Sequence, residues 1–352
     1  MIEQLQQVQA ATGATLKDGV AVRFENETDA SLEDDTLLCD RTHWGRLQVT
    51  GDDRIRFLHN QSTNDFEKLK PGQGCDTVFV TSTARTLDLV TAYVTEDSVI
   101  LLVSPNRREK IFQWCDRYIF PMDKVELTDI TEETACFSLI GKTSDAILIQ
   151  LGGQPLTSEP FGTHQLQLLA NLETRVAVGS GLATPGYTLI VPAQKAATLW
   201  SQLVAAGVKP IGSQTWETLR IQQGRPTPDQ ELTEEYNPLE AGLWQTISFE
   251  KGCYIGQETI ARLNTYKGVK QQLWGVRLQT YAEPGSLITA GKEKVGTLTS
   301  IMQTDKDYIG LAYIRTKAGG AGLQVLVNDT PGEVIDVPFL SRGYLGKRQP
   351  LK

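Results

Sequence analysis

Two stretches of the chain repeat one order of residues, and that repeat limits the folds open to it. Val99-Ile100-Leu101-Leu102-Val103-Ser104-Pro105 is an apolar strand-like run that ends at a proline, and the helix predicted after it carries Ile111, Trp114, Cys115 and Tyr118 on one face. Tyr187-Thr188-Leu189-Ile190-Val191-Pro192 does the same, leading into a helix that aligns Ala196, Leu199, Trp200 and Leu203 and closes at Gly207. Proline suits a helix start because its missing N–H would have no intrahelical partner there. The pairing predicts two similar α+β units, with a join in the Gly- and Pro-containing stretch 152–162.

The rest of the chain fits around this frame. Residues 47–50 read as a strand, Gly51-Asp52 as a turn and helix N-cap, and a helix carrying Ile55, Phe57 and Leu58 follows. Strand-like runs come at 77–81 and 87–94, and a helix from Gln214 to Gln223 closes on Gly224 and Pro226. Beyond Gly268 the pattern changes. Short runs at 273–278, 294–300, 309–314, 324–327 and 333–337, separated by Gly, Asp and Asn turns, predict a small β-barrel. The expected fold class is therefore α+β, with the two α+β units in 1–265, a barrel domain in 266–345 and a basic tail in 346–352.

Composition narrows the function classes. The 352 residues are 40% hydrophobic and 22% charged, as expected of a globular protein of two or three domains. A formal charge of -8 argues against a broad nucleic-acid-binding face, and no apolar run is long enough to span a bilayer. Met1 to Gln7 has neither a secretory nor a transit-peptide pattern, which predicts a cytoplasmic location. Five cysteines, at 39, 75, 115, 136 and 253, include no C-x-x-C pair, so a zinc ribbon or ferredoxin pattern is excluded. Cys115 and Cys136 have apolar neighbours and read as core fillers. His43, His59 and His164 have no metal-ligand spacing, and no P-loop, G-x-G-x-x-G or G-x-S-x-G run is present.

The chemistry concentrates in Lys251-Gly252-Cys253-Tyr254-Ile255-Gly256-Gln257-Glu258. Glycines on either side leave the Cys253 thiol open to approach. The helix-favouring run from Gln257 to Leu263 places the thiol before a positive helix end, where thiolates form readily. Lys251 reads either as a solvated side chain or as the cation that holds that thiolate. Gly252 and Gly256 read as backbone devices, Gln257 and Glu258 as helix caps, and Arg262 as an i,i+4 partner of Glu258.

Asn237-Pro238-Leu239-Glu240-Ala241-Gly242-Leu243 precedes this motif, and Ile247-Ser248-Phe249 leads into it. The run from Asn237 to Leu263 resembles the signature of the YgfZ family, folate-dependent proteins of iron–sulfur cluster assembly and repair related to the glycine-cleavage T protein. Val49-Thr50-Gly51-Asp52-Asp53-Arg54, Leu219-Arg220-Ile221-Gln222-Gln223-Gly224-Arg225-Pro226 and Val295-Gly296-Thr297-Leu298-Thr299-Ser300 look like further family segments. The resemblance implies the two α+β units and the barrel arranged around a central opening that takes tetrahydrofolate or a one-carbon derivative, with His59 a candidate to face it. Partners are then folate and iron–sulfur client or assembly proteins.

A pterin needs a flat slot and hydrogen-bond acceptors, and its glutamate tail needs a cation. Glu240, Asp88 and Gln222 are candidate pterin readers; Trp44, Tyr93 and Trp244 are slot candidates; Arg262, Lys251 and Arg85 are tail candidates. Large aromatics are buried by default, and Asp88 could equally lie on the exposed face of an alternating strand. The T protein's Gly-Gly-x-x-Asp-Asp segment is replaced here by Thr83-Ala84-Arg85-Thr86-Leu87-Asp88, and its folate-contacting glutamate by Gln222. Those departures argue against ordinary aminomethyl transfer and put the expected chemistry on Cys253. A folate-dependent aminomethyl- or methyl-transferase and a non-catalytic adaptor are the alternatives.

Overall fold

The structure is a computed structural model and describes residues 2–25, 27 and 35–347. Residues 348–352 of the expected basic tail lie outside the described residues, while Gly343–Lys347 forms a 3₁₀ turn. The chain divides into two compact units, one of residues 1–57, 67–75 and 90–217 and another of 58–66, 76–89 and 218–352.

The first helix, α1 (Ile2–Ala11), precedes a hairpin of β1 (Ala14–Lys17) and β2 (Val20–Phe24). Asp18 and Gly19 form its two-residue turn with φ of 50° and 78°, the left-handed pair that matches the twist of the flanking strands. β3 (Leu37–Asp40), β4 (Gly45–Thr50) and α2 (Arg54–Gln61) follow. Asp53 rather than Asp52 begins α2: its carbonyl takes the Phe57 N–H at 2.8 Å, while its carboxylate takes the Lys124 N–H at 3.0 Å. β5 (Gly74–Val80), β6 (Thr86–Val94) and β7 (Ser98–Val103) come next, then α3 (Arg108–Arg117) and β8 (Glu126–Asp129). These strands form a five-stranded sheet in the order β5-β6-β7-β4-β8.

The second half of the predicted repeat begins earlier than its proline signal. β9 (Thr134–Ile140), α4 (Ser144–Gln150), β10 (His164–Leu169), β11 (Leu172–Val178), β12 (Gly186–Pro192), α5 (Ala196–Ala205) and β13 (Lys209–Ile211) lead to α6 (Ser213–Gln223). A six-stranded sheet has the order β10-β11-β12-β9-β3-β13. The stretch 152–162, expected to join two units, connects α4 to β10, and the strands on either side of that helix and connection, β9 and β10, belong to this one sheet. Ala196, Leu199, Trp200 and Leu203 are all buried on one face of α5, where Trp200 meets Phe24 and Phe137 at ring-centroid distances of 6.0 and 5.4 Å. Burying each such aromatic removes roughly 150–250 Å² from water, which is why a ten-residue helix with little capping is held in place.

The last helix, α7 (Gln257–Thr265), precedes six strands: β14 (Gln271–Leu278), β15 (Leu287–Ala290), β16 (Glu293–Gln303), β17 (Tyr308–Arg315), β18 (Gln324–Val327) and β19 (Thr330–Ile335). They close into a barrel in the order β14-β17-β16-β15-β18-β19, so no strand edge is left open. Val276, Ile288, Leu298, Ile314, Val325 and Val334 are among its buried interior. β15 lacks a sequence signal because only Ile288 of its four residues is fully buried. No helix among the described residues is long and apolar enough to cross a membrane.

Candidate functional site

The Cys253 motif is positioned by the end of a helix far away in sequence. A helix leaves its last carbonyls without intrahelical donors, and α2 ends within the segment that carries His59, Asn60 and Ser62. Lys251 supplies the donors. Its Nζ donates to the carbonyls of His59, Ser62 (2.8 Å) and Asn64 (2.6 Å), which uses all three ammonium N–H groups. On either side of it, the Ser248 N–H donates to Thr63 O at 3.0 Å and the Ile255 N–H to Asn60 O at 3.0 Å. Thr63 Oγ1 returns a bond to Thr246 O at 2.8 Å. The ammonium also lies 4.8 Å from the centre of the Tyr254 ring, whose burial pushes its hydroxyl well up from the usual tyrosine range. Lys251 is thus buried, a clamp on backbone carbonyls where a solvated side chain was one expectation.

At the far end of the strap, Gly256 starts α7 with φ +83° and no side-chain cap. A Cβ there would lie 2.8 Å from Thr81 O and 2.9 Å from Val80 Cγ2, so both the angle and the space require glycine. Gln257 and Glu258, expected to cap the helix, occupy its first turn instead, where Glu258 faces the positive end of the backbone dipoles. Glu258 and Arg262 are both exposed and make no ion pair with each other, against the i,i+4 expectation. Between the anchors, Gly252 and Cys253 are exposed.

The other thiols differ. Cys39, Cys115 and Cys136 are buried and Cys75 is half-buried. Burial pushes Cys115 up to about 12 and raises Cys136 too, as core fillers should behave.

Near the same motif, the Asn237–Leu243 turn is built on side chains. Asn237 Oδ1 accepts the N–H groups of Leu239 and Glu240, and its Nδ2 donates to Glu240 Oε2 at 2.7 Å. Burial raises the Glu240 carboxyl above its ordinary range, opposed by bonds from Asn237 and Gln271 and by the charges of Arg85 and Lys270. Arg85 donates to Glu235 O at 2.7 Å, and the Thr86 N–H to Tyr236 O at 3.0 Å, so the start of β6 runs beside this turn. Tyr236 stacks on Tyr313 at 3.5 Å with an 11° angle between rings. Tyr236, Lys270 and Gln271 are therefore members of this polar group that sequence reasoning missed; nothing in their spacing marks them.

The remaining candidates separate. Asp88 is fully buried, because β6 is covered on both faces, which removes the surface reading. Gln222 is half-buried and Arg262 exposed. Trp244 is buried with Phe249 and Tyr344 against it, in a cluster that includes Leu239, Tyr254 and Ile260. Tyr93, in the other unit, packs edge-on against His164, and Trp44 lies 3.9 Å from the Arg41 guanidinium. That unit also holds a cavity of about 180 Å³ whose lining includes Asp40, His43, Arg108 and Glu132 but no expected site residue. Among the described residues no group of His, Cys, Asp and Glu side chains is placed to hold a metal ion.

The fold is similar to that of a solved aminomethyltransferase T of the glycine cleavage system from Bartonella henselae: the TM-score is 0.82 over 96% of this chain and 98% of that one, at 17% identity. The family follows from sequence. The GCVT N-terminal domain matches residues 8–251, and the chain belongs to that family. It is 44% identical over 345 residues, 97% of this chain and 80% of the relative, to the Arabidopsis thaliana protein named "Putative transferase At1g60990, chloroplastic". It is 31% identical to an aminomethyltransferase of Geobacillus thermodenitrificans, over 87% of each chain.

Proposed function

We propose that this GCVT-family chain binds tetrahydrofolate and supports assembly or repair of iron–sulfur clusters in client enzymes through Cys253. The observation that carries the reading is the setting of that thiol: among the described residues it is the one exposed cysteine, and it stands on a strap pinned by Lys251. An exposed thiolate held in this way can attack the outer sulfur of a client's persulfide, with the client's thiolate as leaving group, or attack a one-carbon adduct. In the folate part of the reading, Glu240 and the buried Asp88 read the pterin, and Arg85 or Arg262 meets the glutamate tail, since the Lys251 ammonium already serves three carbonyls. Gln222 and Leu87 weigh against the T-protein reaction, as neither can supply the carboxylate found there.

Calorimetry with tetrahydrofolate tests the ligand. Glu240→Gln should weaken binding about tenfold or more, the loss expected for one charge-assisted hydrogen bond; no heat from wild type at millimolar ligand would overturn folate binding. In cells lacking the protein, Cys253→Ser should fail to restore client iron–sulfur activity. Full rescue by that variant would remove the thiol from the mechanism, and brisk 5,10-methylene-tetrahydrofolate formation from an aminomethyl donor would favour the transferase reading.

A further inference from the structure

The cavity of about 180 Å³ lies wholly in the unit of residues 1–57, 67–75 and 90–217, and it shares no residue with the Cys253 motif or the Glu240 turn. Ile2 and Leu5 of α1 and Val20 of the hairpin make an apolar wall; Asp40, Thr42 and His43 make a polar one. On the polar side acceptors outnumber donors. The half-buried Asp40 carboxylate takes the Thr42 N–H on Oδ1 and a Gln9 Nε2 hydrogen on Oδ2, both at 2.8 Å, and among the described residues it makes no ion pair. The oxygen of the same Gln9 amide, one turn along α1 from Leu5, is fully buried and has no hydrogen-bond partner.

His43 makes no side-chain hydrogen bond among the described residues. Burial, with the charges of Arg41 and Arg46, pushes its imidazole down from 6.5 against the pull of Asp40, so at pH 7 it is neutral and one ring nitrogen offers a lone pair. The donors nearby are directed elsewhere. Gln6 Nε2 donates to Gly19 O at 3.1 Å, and Arg108, the one cation of the described lining, already faces the carboxylates of Asp129 and Glu132. A carboxylate withdrawn from water calls for a cation, and an orphaned carbonyl calls for an N–H. One ammonium group supplies both, with three donors and a charge.

We infer that this cavity is a binding site for a small aliphatic amine, whose ammonium pairs with Asp40 and whose carbon chain lies against Ile2, Leu5 and Val20. The size agrees: an apolar cavity of about 150 Å³ holds benzene, so this one takes a chain of roughly five to seven non-hydrogen atoms. Asp18 and Glu132, exposed in the same lining, disfavour an anion. The site is independent of folate and of Cys253, and binding there involves no covalent step.

The probe is n-butylamine, titrated into the full chain at constant pH 7 and followed by proton–nitrogen NMR at the backbone amides of Thr42 and His43, with n-butyrate as the matched anion. Both amides should shift saturably with millimolar amine and not with butyrate. Asp40→Asn should weaken binding about tenfold or more, the loss of one charge-assisted contact. Val20→Phe fills the apolar side, leaves every polar group in place and should abolish binding; it decides alone if Asp40→Asn does not fold by circular dichroism. Three results would each overturn the site: no saturable shift, which makes the hollow a place for water only; butyrate binding as well as the amine; or folded variants that bind like wild type.

Discussion

Replacing Lys251 with methionine keeps the length and apolar stem of the side chain and removes only the ammonium. Three backbone carbonyls then lose their donor. Each hydrogen bond to a charged donor contributes about 1.5–3 kcal/mol, but the three share one ammonium and the exposed Gly252–Cys253 edge admits water, so they do not add in full. A loss of about 3–5 kcal/mol is expected, similar to removal of one partner from a buried charged pair. A chain of two units gives no single unfolding free energy, so the effect is better read locally. The amides of Ser248 and Ile255, which bond to Thr63 O and Asn60 O on either side of the clamp, are the reporters. Their hydrogen-exchange protection should drop by about 100-fold or more, whereas protection on α5 should not change. If the protection of both amides stays within about threefold of wild type, Lys251 is not what holds the strap.

Gly256→Ala places a side chain at φ +83° and into contact with Thr81 O, so strain of about 1–2 kcal/mol plus the clash should loosen the start of α7; exchange of the Ile260 amide, which bonds to Gly256 O, should quicken about tenfold or more, and an unchanged rate would contradict it. His164 tests linkage. Burial first and the Arg175 guanidinium second push it from 6.5 down to about 4, so the native state stays neutral where the unfolded chain protonates. Stability should fall as pH drops from 6.5 toward 4, and His164→Gln should flatten the melting-temperature profile in that window. Glu240 has the opposite sign for a carboxyl: raised by burial, it costs stability as pH rises above 4.5, so Glu240→Gln should melt no lower than wild type at pH 7 even as it loses folate.

What could be read from sequence was local and periodic. The aligned faces of α3 and α5 and most barrel strands follow from spacing alone, as does the contrast between Cys253 and the buried Cys115 and Cys136. Asp88 was ambiguous because β6 is buried on both faces, so its polar residues carry no alternation to interpret. The sheet division was hidden for a different reason: β3 joins β9 and β13 joins β3 from distant parts of the chain, and short strands of three or four residues have no period. Lys251 looks solvated to any local reading because its partners are 187 to 192 residues earlier, and His59 and Asp65 are brought together only by the exit from α2.

The clamp on α2 also sets an order of events during synthesis. The carbonyls of His59, Ser62 and Asn64 emerge early, yet the ammonium that satisfies them is made nearly 190 residues later. Until then the end of α2 must bond to water or to a chaperone, and contacts of such long range are slow to form because loop closure precedes any gain. The unit that carries Cys253 draws on 58–66, 76–89 and 218–352, so it cannot be completed by a nascent chain that stops short of the motif. The thiol is therefore mounted only when that unit has been knitted together, and a partly made chain never presents it in working position.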